Sequence, residues 1–463
     1  MKSLVIHHRD YRINDNLTLI QAIKDCSIDG QIYPIFIFDD KQIDPKQNKY
    51  FSSNCFNFLL ESLFDLFLQY KKFKSNIGFY YGITLDVIND LITKHSITDI
   101  YMHRDITPFS KKRDNSIQKL CEELEVKCHF IDDLLLTKDI KTGSGTIYHV
   151  YTPFYREASK HTVNKPINPT KDEMKKVQKN TLKSKFLIKL GEIKNEEISP
   201  MLEIHGGRTE ALKKLELIEK GIYENYKSDR EFPILDKTTH LSAYLKFGCI
   251  SIREAYWTTV NAYGKNHPLI MQYYWREFYY YILDNYPDNL GHAMRTKYDD
   301  IKWWDKPEWL KAWKEGKTGC PIVDAGMRQM NMTGFMHNRL RMIVSNFLIK
   351  DLHIDWREGE KYFAQMLVDY DVPNNNGGWQ WSAGTGTDSQ PYFRIFNPYT
   401  QSEKFDKDAE YIKKWVPELK DIPSKDIHNW ENSYSKYKDI YIKPLVIHSE
   451  EREKTLDMYK EAV

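Results

Sequence analysis

Ile32-Tyr33-Pro34-Ile35-Phe36-Ile37-Phe38 is a short β-branched and aromatic run, and its neighbours on either side decide the fold. Its apolar end, Ile35–Phe38, is far shorter than the about 20 residues a bilayer crossing requires, as is Phe278–Leu283, the other long apolar run. The run is therefore a strand candidate. Leu4–Ile6 before it and Gly78–Tyr81, Ile97–Tyr101 and Cys128–Ile131 after it are of the same kind. Between them lie amphipathic stretches near Leu17–Lys24, Phe51–Tyr70, Leu85–Lys94 and Lys111–Leu124. That alternation predicts a βαβ series, an α/β Rossmann-like domain with an open parallel sheet and a ligand crevice at its C-terminal edge. Neither GxGxxG nor GxxxxGK[ST] is present, which disfavours the ordinary dinucleotide and P-loop readings.

The chain has 463 residues, more than one core usually organises, and this excludes a single small binding module. With 41% hydrophobic and 29% charged residues it is globular. Cys26, Cys55, Cys121, Cys128, Cys249 and Cys320 form no CxxC pair and no metal spacing, and no signal peptide precedes them. We expect a reduced, intracellular, metal-free protein, in cytoplasm or nucleus. A net charge of +2 leaves the partner open. We divide the chain into an α/β domain over 1–132, a connector over 133–200 and a helical domain over 201–463. From Tyr151 to Leu190 the connector has ten Lys/Arg against three Asp/Glu, and a solvated linker is its plain reading. All eleven tryptophans lie between Trp257 and Trp430, as core or as stacking and electron-carrying groups.

Three segments of the helical half combine aromatic faces with fixed polar groups. In Met271-Gln-Tyr-Tyr-Trp-Arg-Glu-Phe-Tyr279, helical spacing puts Gln272, Trp275, Arg276 and Tyr279 on one face. In Met336-His-Asn-Arg-Leu-Arg-Met-Ile343, Asn338, Arg341 and Met342 share a face, an amide, a permanent cation and a soft apolar contact. Asp369-Tyr-Asp-Val-Pro-Asn-Asn-Asn-Gly-Gly-Trp-Gln-Trp381, with Gly384-Thr-Gly-Thr-Asp388, carries Pro, three Asn and paired Gly. That composition predicts an irregular loop pressed against a planar or phosphorylated ligand.

These segments resemble the photolyase/cryptochrome flavoproteins, most closely the class I cyclobutane pyrimidine dimer photolyases. The likeness begins at Arg9-Asp-Tyr-Arg-Ile-Asn-Asp-Asn16, where His7 replaces the usual preceding aromatic. It continues through Tyr148-His-Val-Tyr-Thr-Pro-Phe154, Thr238-Thr-His-Leu-Ser-Ala-Tyr-Leu-Lys-Phe-Gly248 and Trp275-Arg-Glu-Phe278. Thr318-Gly-Cys-Pro-Ile-Val-Asp-Ala325 and Trp356-Arg-Glu-Gly-Glu360 complete it, so it spans nearly the whole chain.

The resemblance implies a helical FAD-binding domain. Tyr226, Arg230, Thr238, Thr239, Leu241 and Ser242 match positions around the phosphates and ribityl chain. Trp275, Arg276, Asn338, Arg341, Asp369, Asp371 and Asn375 match those around adenine, ribityl and ring system. Arg341 opposite Asp369 would keep a local positive potential beside a reduced, anionic ring, and the Asn375 amide would face flavin N5. Trp379, Trp356 and Trp303 match the photoreduction chain. Trp275 and Trp381 would stack on or wedge the fused pyrimidines, Met342 would pack on them, and Asn338 and Gln272 would bond their edges. Arg394 and Lys404 are candidates for holding DNA phosphates, with plain solvated charge an equal reading.

The expected function is a deoxyribodipyrimidine photo-lyase, a carbon–carbon lyase acting as a monomer on double-stranded DNA. Excited reduced FAD would donate an electron to a flipped-out dimer, and the electron would return after both cyclobutane bonds split. A cryptochrome-like photoreceptor is the runner-up, although such receptors commonly carry a long C-terminal extension and this chain stops at Val463. A (6-4) photolyase needs a His pair where His337-Asn338 stands, and a DASH-type protein departs at Trp381. The second, antenna chromophore stays open: Asn289-Leu-Gly-His292 lacks the Cys-Lys of a folate site, which leaves a deazaflavin, a flavin or nothing. One departure stands out, Gln272 in place of the usual Glu.

Overall fold

A computed structural model describes residues 1–195, 198–389 and 391–462; residues 196, 197, 390 and 463, which touch the connector, the Gly-rich segment and the C-terminus, lie outside it. Strands β1 (Lys2–Ile6), β2 (Gln31–Phe38), β3 (Gly78–Tyr81), β4 (Asp99–His103), β5 (Lys127–Ile131) and β6 (Leu187–Ile188) form one sheet in the order β5-β4-β1-β2-β3-β6. All pairs are parallel except β3 with β6. Leu4, Ile35 and Ile100 have no exposed surface, as expected of a sheet covered on both faces by its crossover helices. Those helices are α1 (Leu17–Asp25), α2 (Ser53–Lys72), α3 (Thr84–His95) and α4 (Pro108–Glu123). Asn16 starts α1 by accepting from the Leu19 N–H at 2.9 Å, and Thr107 with Pro108 starts α4. Strand order reverses between β1 and β4, which opens the crevice at their C-terminal ends, beside His8, Arg9, His103 and Asp105.

The basic connector does more than span. Met174 and Val177 are buried, Val177 bridges Ile32, and Leu187–Ile188 adds the antiparallel edge strand. Lysines keep its outer side wet while the apolar residues between them return to the sheet.

The remaining elements are helices and turns. Those that bear on the site are α5 (Tyr151–Ala158), α6 (Pro268–Asn285), α7 (Asn338–Lys350), α8 (Trp356–Met366), α9 (Val372–Ala383) and α10 (His448–Glu461). One core cluster runs through both halves: Phe58 of α2 stacks on Phe247 at 4.7 Å, and Val5 and Tyr11 join Tyr244 and Phe278. Buried ion pairs cross the same junction, with Arg253 on Asp15 at 2.9 Å and on Asp133 at 2.5 Å, and Arg12 on Asp133. Gly248 has φ +65°, and a Cβ there would sit 1.9 Å from the Arg9 carbonyl oxygen, so the chains meet backbone to backbone.

The expected loop at Asp369–Trp381 is instead helical from Val372. Pro373 falls in the first turn, where no N–H is needed, and Gly384, at φ +77°, ends the helix. What overrides the poor propensity is packing. Asn376 Nδ2 donates to Glu360 at 3.0 Å, Gln380 Nε2 donates to the Asn289 carbonyl at 3.1 Å, and Gly377 lets the Tyr279 ring lie where a Cβ would be.

Candidate active site

Helices α6, α7 and α9 and the short helix Ser242–Phe247 enclose a cavity of about 570 Å³, within the range of sites that take a drug-sized ligand or cofactor. Tyr226, Arg230, Thr238, Thr239 and Leu241 line one end, and Ser242 joins it to the other through Asp369. From α6 come Gln272, Trp275 and Arg276, and from α7 Asn338, Arg341 and Met342. Asp369, Asp371, Asn375, Trp379 and Trp381 close the other wall. Every residue assigned from sequence to the cofactor thus meets in this one cavity. Trp303, Trp356, Arg394 and Lys404 are not part of its lining.

The two ends differ chemically. At the first, Thr238 Oγ1 and Arg230 Nε are buried without a hydrogen-bond partner among the described residues, although Arg230 Nε lies 3.5 Å from the Glu231 carboxylate. Buried donors are rarely left unpaired, so this end fits an anionic ligand such as a diphosphate. At the other end the charges are already matched. Arg341 donates to both oxygens of Asp369 at 3.0 Å, and Ser242 Oγ donates to the same carboxylate at 2.6 Å. Asp371 accepts from Arg9 Nη2 at 2.8 Å, from the Tyr280 hydroxyl at 2.8 Å and from Asn374 at 2.7 Å. Asn375 spends its NH2 on the Glu360 carbonyl at 3.0 Å, which leaves Oδ1 as an acceptor. Gly378 faces open space, where a Cβ would meet nothing within 4 Å, so α9 presents bare backbone to a flat ligand. Together these features fit an extended dinucleotide with a flat ring system.

At the mouth, Trp275 stacks on Tyr151 at 3.7 Å and 8°, so one indole face is taken. The Tyr151 hydroxyl donates to the Met271 carbonyl at 2.6 Å and fixes the pair. Gln272 Nε2 turns back to the Pro268 carbonyl at 3.4 Å, and Asn338 Nδ2 lies 4.0 Å from Met342 Sδ. His337 starts α7 by accepting from the Arg339 N–H at 3.1 Å, and burial pushes its pKa down to about 4, so it is neutral. Glu277, buried behind Arg276, is pushed up to about 7 by burial despite bonds from Thr137 and the Leu136 N–H.

Behind the cavity, Trp379 packs on α8, where a Cβ at Gly359 would lie 2.1 Å from its ring. Trp356 opens α8 and is fully buried, and Trp303 is half-buried against the same core cluster. The indole N–H groups of Trp379 and Trp303 have no acceptor among the described residues. Trp379 also touches Phe363 at 4.9 Å and Trp313 at 6.1 Å. Residues missed from sequence include Tyr151 and Arg9, each inside a quoted motif but acting on a partner more than 100 positions away. Arg339, paired with Glu231, and Tyr280 were missed as well.

A parallel-sheet domain joined to a helical half with a polar-ended, aromatic-walled cavity defines a two-domain flavoprotein. Residues 3–173 match the family model described as DNA photolyase, and residues 269–461 match the FAD binding domain of DNA photolyase. The chain belongs to the DNA photolyase family. It is 34% identical to a deoxyribodipyrimidine photo-lyase of Alkalihalophilus pseudofirmus, over 98% of this chain and 96% of that one. An archaeal photolyase from Sulfolobus tokodaii, crystallised with two FAD molecules, superposes with a TM-score of 0.85 at 36% identity and full coverage of both chains. A class III photolyase from Agrobacterium tumefaciens does so at 0.89 and 31%, over 100% of this chain and 97% of that one.

Proposed function

We propose that this chain repairs cyclobutane pyrimidine dimers in double-stranded DNA, using light. The observation that carries the reading is that Trp275, Trp381, Met342, Gln272 and Asn338, two tryptophans and a methionine with two primary amides, line the same cavity as the cofactor residues. Reduced flavin, when bound and illuminated, supplies the single electron that opens the cyclobutane ring and takes it back afterwards. The chain's own residues bind and orient. Tyr151 backs one face of Trp275, so only the other face and the edge are left to wedge against the fused bases. Gln272 and Asn338 offer amide donors and acceptors to the base edges. A damaged pair stacks and pairs poorly, so flipping it out costs less than flipping normal bases.

Thr238, Thr239, Ser242, Tyr226, Leu241 and Arg230 would hold the phosphates and ribityl chain, and Arg276, Arg341, Asp369, Asp371 and Asn375 the rest of the cofactor. Trp379, Trp356 and Trp303 would carry the electron that recharges it. The missing acceptors on two of these indoles favour that role, because a radical cation with no base nearby keeps its proton and can pass the charge on. Arg394 and Lys404, both exposed, would contact DNA phosphates from outside the cavity. Asn338 and Met342, and no histidine pair, line the cavity from this segment, while its one histidine, His337, is buried and caps α7 through Nδ1, which speaks against (6-4) chemistry. In the crevice, His103 is buried with both ring nitrogens unpartnered, which favours a polar antenna such as a second flavin. No helix among the described residues is long and apolar enough to cross a membrane, and we place the protein with DNA, in cytoplasm or nucleus, as a monomer.

The test is photorepair of an oligonucleotide with one defined thymine dimer, by the FAD-loaded full chain, in light and in darkness. Repair in light alone is expected. Absence of repair in both would move the reading to a photoreceptor or to a (6-4) photolyase.

A further inference from the structure

Next to Thr238 and Thr239, His240 is 7% exposed and has a carboxylate on either side of its ring. Nε2 lies 2.7 Å from Asp236 Oδ1, a hydrogen bond that puts the ring proton on Nε2 and leaves a lone pair on Nδ1. That Nδ1 is buried, has no hydrogen-bond partner among the described residues, and stands 3.8 Å from Glu203 Oε1. The distance is too long for an N–H···O bond. The Glu203 side chain is one-third exposed, and although Lys214 and Lys414 are within electrostatic reach, neither pairs with it. Two lone-pair groups therefore face each other with no donor between them. One ligand atom from each of Glu203, Asp236 and His240 can be chosen so that all three lie within 4.8 Å of one another. A second imidazole, that of His337, is 2% exposed, keeps Nε2 without a partner, and is within electrostatic reach of Asp236 and His240.

We propose that His240 Nδ1 and the Glu203 carboxylate bind a divalent transition-metal ion such as zinc, with Asp236 orienting the imidazole through Nε2. A carboxylate behind a ligating histidine fixes its tautomer and its direction, which is the arrangement found here. Two ligands each about 2.0–2.1 Å from one zinc ion stand about 3.3 Å apart at the tetrahedral angle, so closure by about half an ångström seats it. Imidazole nitrogen suits zinc and its neighbours in the series, whereas magnesium and calcium prefer all-oxygen sets. Water completes the coordination from the open side, where the Asp236 side chain is 65% exposed. No thiolate takes part, so cysteine spacing carries no trace of the site. The ion acts as a clip. The Glu203 N–H donates to the Thr333 carbonyl at 3.1 Å, at the end of the helix Pro321–Thr333, and the His240 ring lies against Phe335 at 4.5 Å. Metal binding thus ties the turn from Asp236 to His240 onto that helix end. Both of these residues hold left-handed backbone, at φ +48° and +53°, which costs an L-residue energy, so the clip restrains a turn inclined to relax. The turn carries Thr238 and Thr239, and its stiffening preorganises the phosphate seat. That consequence rests on the cofactor reading; the metal site does not.

The test is equilibrium dialysis of the FAD-loaded full chain, stripped with a chelator, against zinc chloride alone, with bound metal counted per chain. One ion should bind at the tightest site. Glu203→Gln and His240→Gln should each weaken that binding at least about tenfold, and Asp236→Asn, which removes the orienting carboxylate, by about tenfold. Because the Glu203 side chain is partly exposed, Glu203→Gln keeps the fold, checked by unchanged flavin content. Zinc should raise the melting temperature of the wild type and leave that of Glu203→Gln where it was. Equal binding in the wild type and both ligand variants, an adventitious ion only, would overturn the proposal. So would a wild type that retains no zinc. These measurements use neither light nor damaged DNA, so a chain that binds zinc but fails to repair dimers would refute the repair reading and leave this site standing.

Discussion

The two ends of the cavity hold opposite kinds of polarity. Around Asp369 and Asp371 every charge is paired before any ligand arrives, by Arg341, Ser242, Arg9 and Tyr280. Around Thr238 and Arg230, the Thr238 hydroxyl is buried without a partner among the described residues, and Arg230 Nε has only the longer contact with Glu231, at 3.5 Å. The first end is part of the folded scaffold, and the second is completed by what binds. Mutations at the two should therefore fail differently, one through stability and the other through affinity.

The largest effect is expected where pairing is broken. Arg341→Ala leaves Asp369 buried with only Ser242 to answer it, and we expect about 3 kcal/mol of lost stability together with loss of FAD, read by chemical denaturation and by flavin content. A variant with an unchanged midpoint would show that the pair contributes nothing to the scaffold. Next comes pH. Glu277 is pushed from the usual 4.5 to about 7, so its contribution is full below about pH 4.5 and is lost as pH rises through 7. Between pH 5 and 8 the protein should lose up to about 3 kcal/mol on this account, and Glu277→Gln should flatten the curve; an identical pH slope in that variant would sink the assignment. Thr238→Val, at the unspent end, should leave the melting temperature of FAD-free protein unchanged and weaken FAD binding about tenfold, measured by flavin fluorescence. Equal losses in both assays would erase the distinction between the ends. Trp379→Phe lies outside the contrast and serves as its control, with slower photoreduction at unchanged flavin content. The smallest effect belongs to Gln272, which keeps the length of Glu but holds no titratable proton. Gln272→Glu should raise or preserve the repair yield and Gln272→Ala should lower it by a few-fold, on the order of 1 kcal/mol. No change in either variant would limit Gln272 to its bond with Pro268.

Helix α6 was legible because periodicity alone aligns Gln272, Trp275, Arg276 and Tyr279, and all four do line the cavity. Helix α9 was not, because Asn376 and Gln380 are held by groups 16 and 91 residues away, which no local rule can see. Distance in sequence also hid Tyr151 behind Trp275 and Arg9 beside Asp371. The sheet was read from short apolar runs, and the strand expected at Ile97–Tyr101 lies two residues later because Ser3 pairs with Asp99. Register belongs to the pairing, and composition cannot set it.

The contact of Arg9 with Asp371 also bears on how such a protein can be re-engineered. A loop that follows the first strand braces a carboxylate in the wall of a pocket lined by residues more than 200 positions later. Exchanging the sheet half for that of a relative would transplant a piece of the cofactor seat along with it. A chimera joined anywhere in the connector should keep its flavin only if the donor half also brings an arginine to that corner.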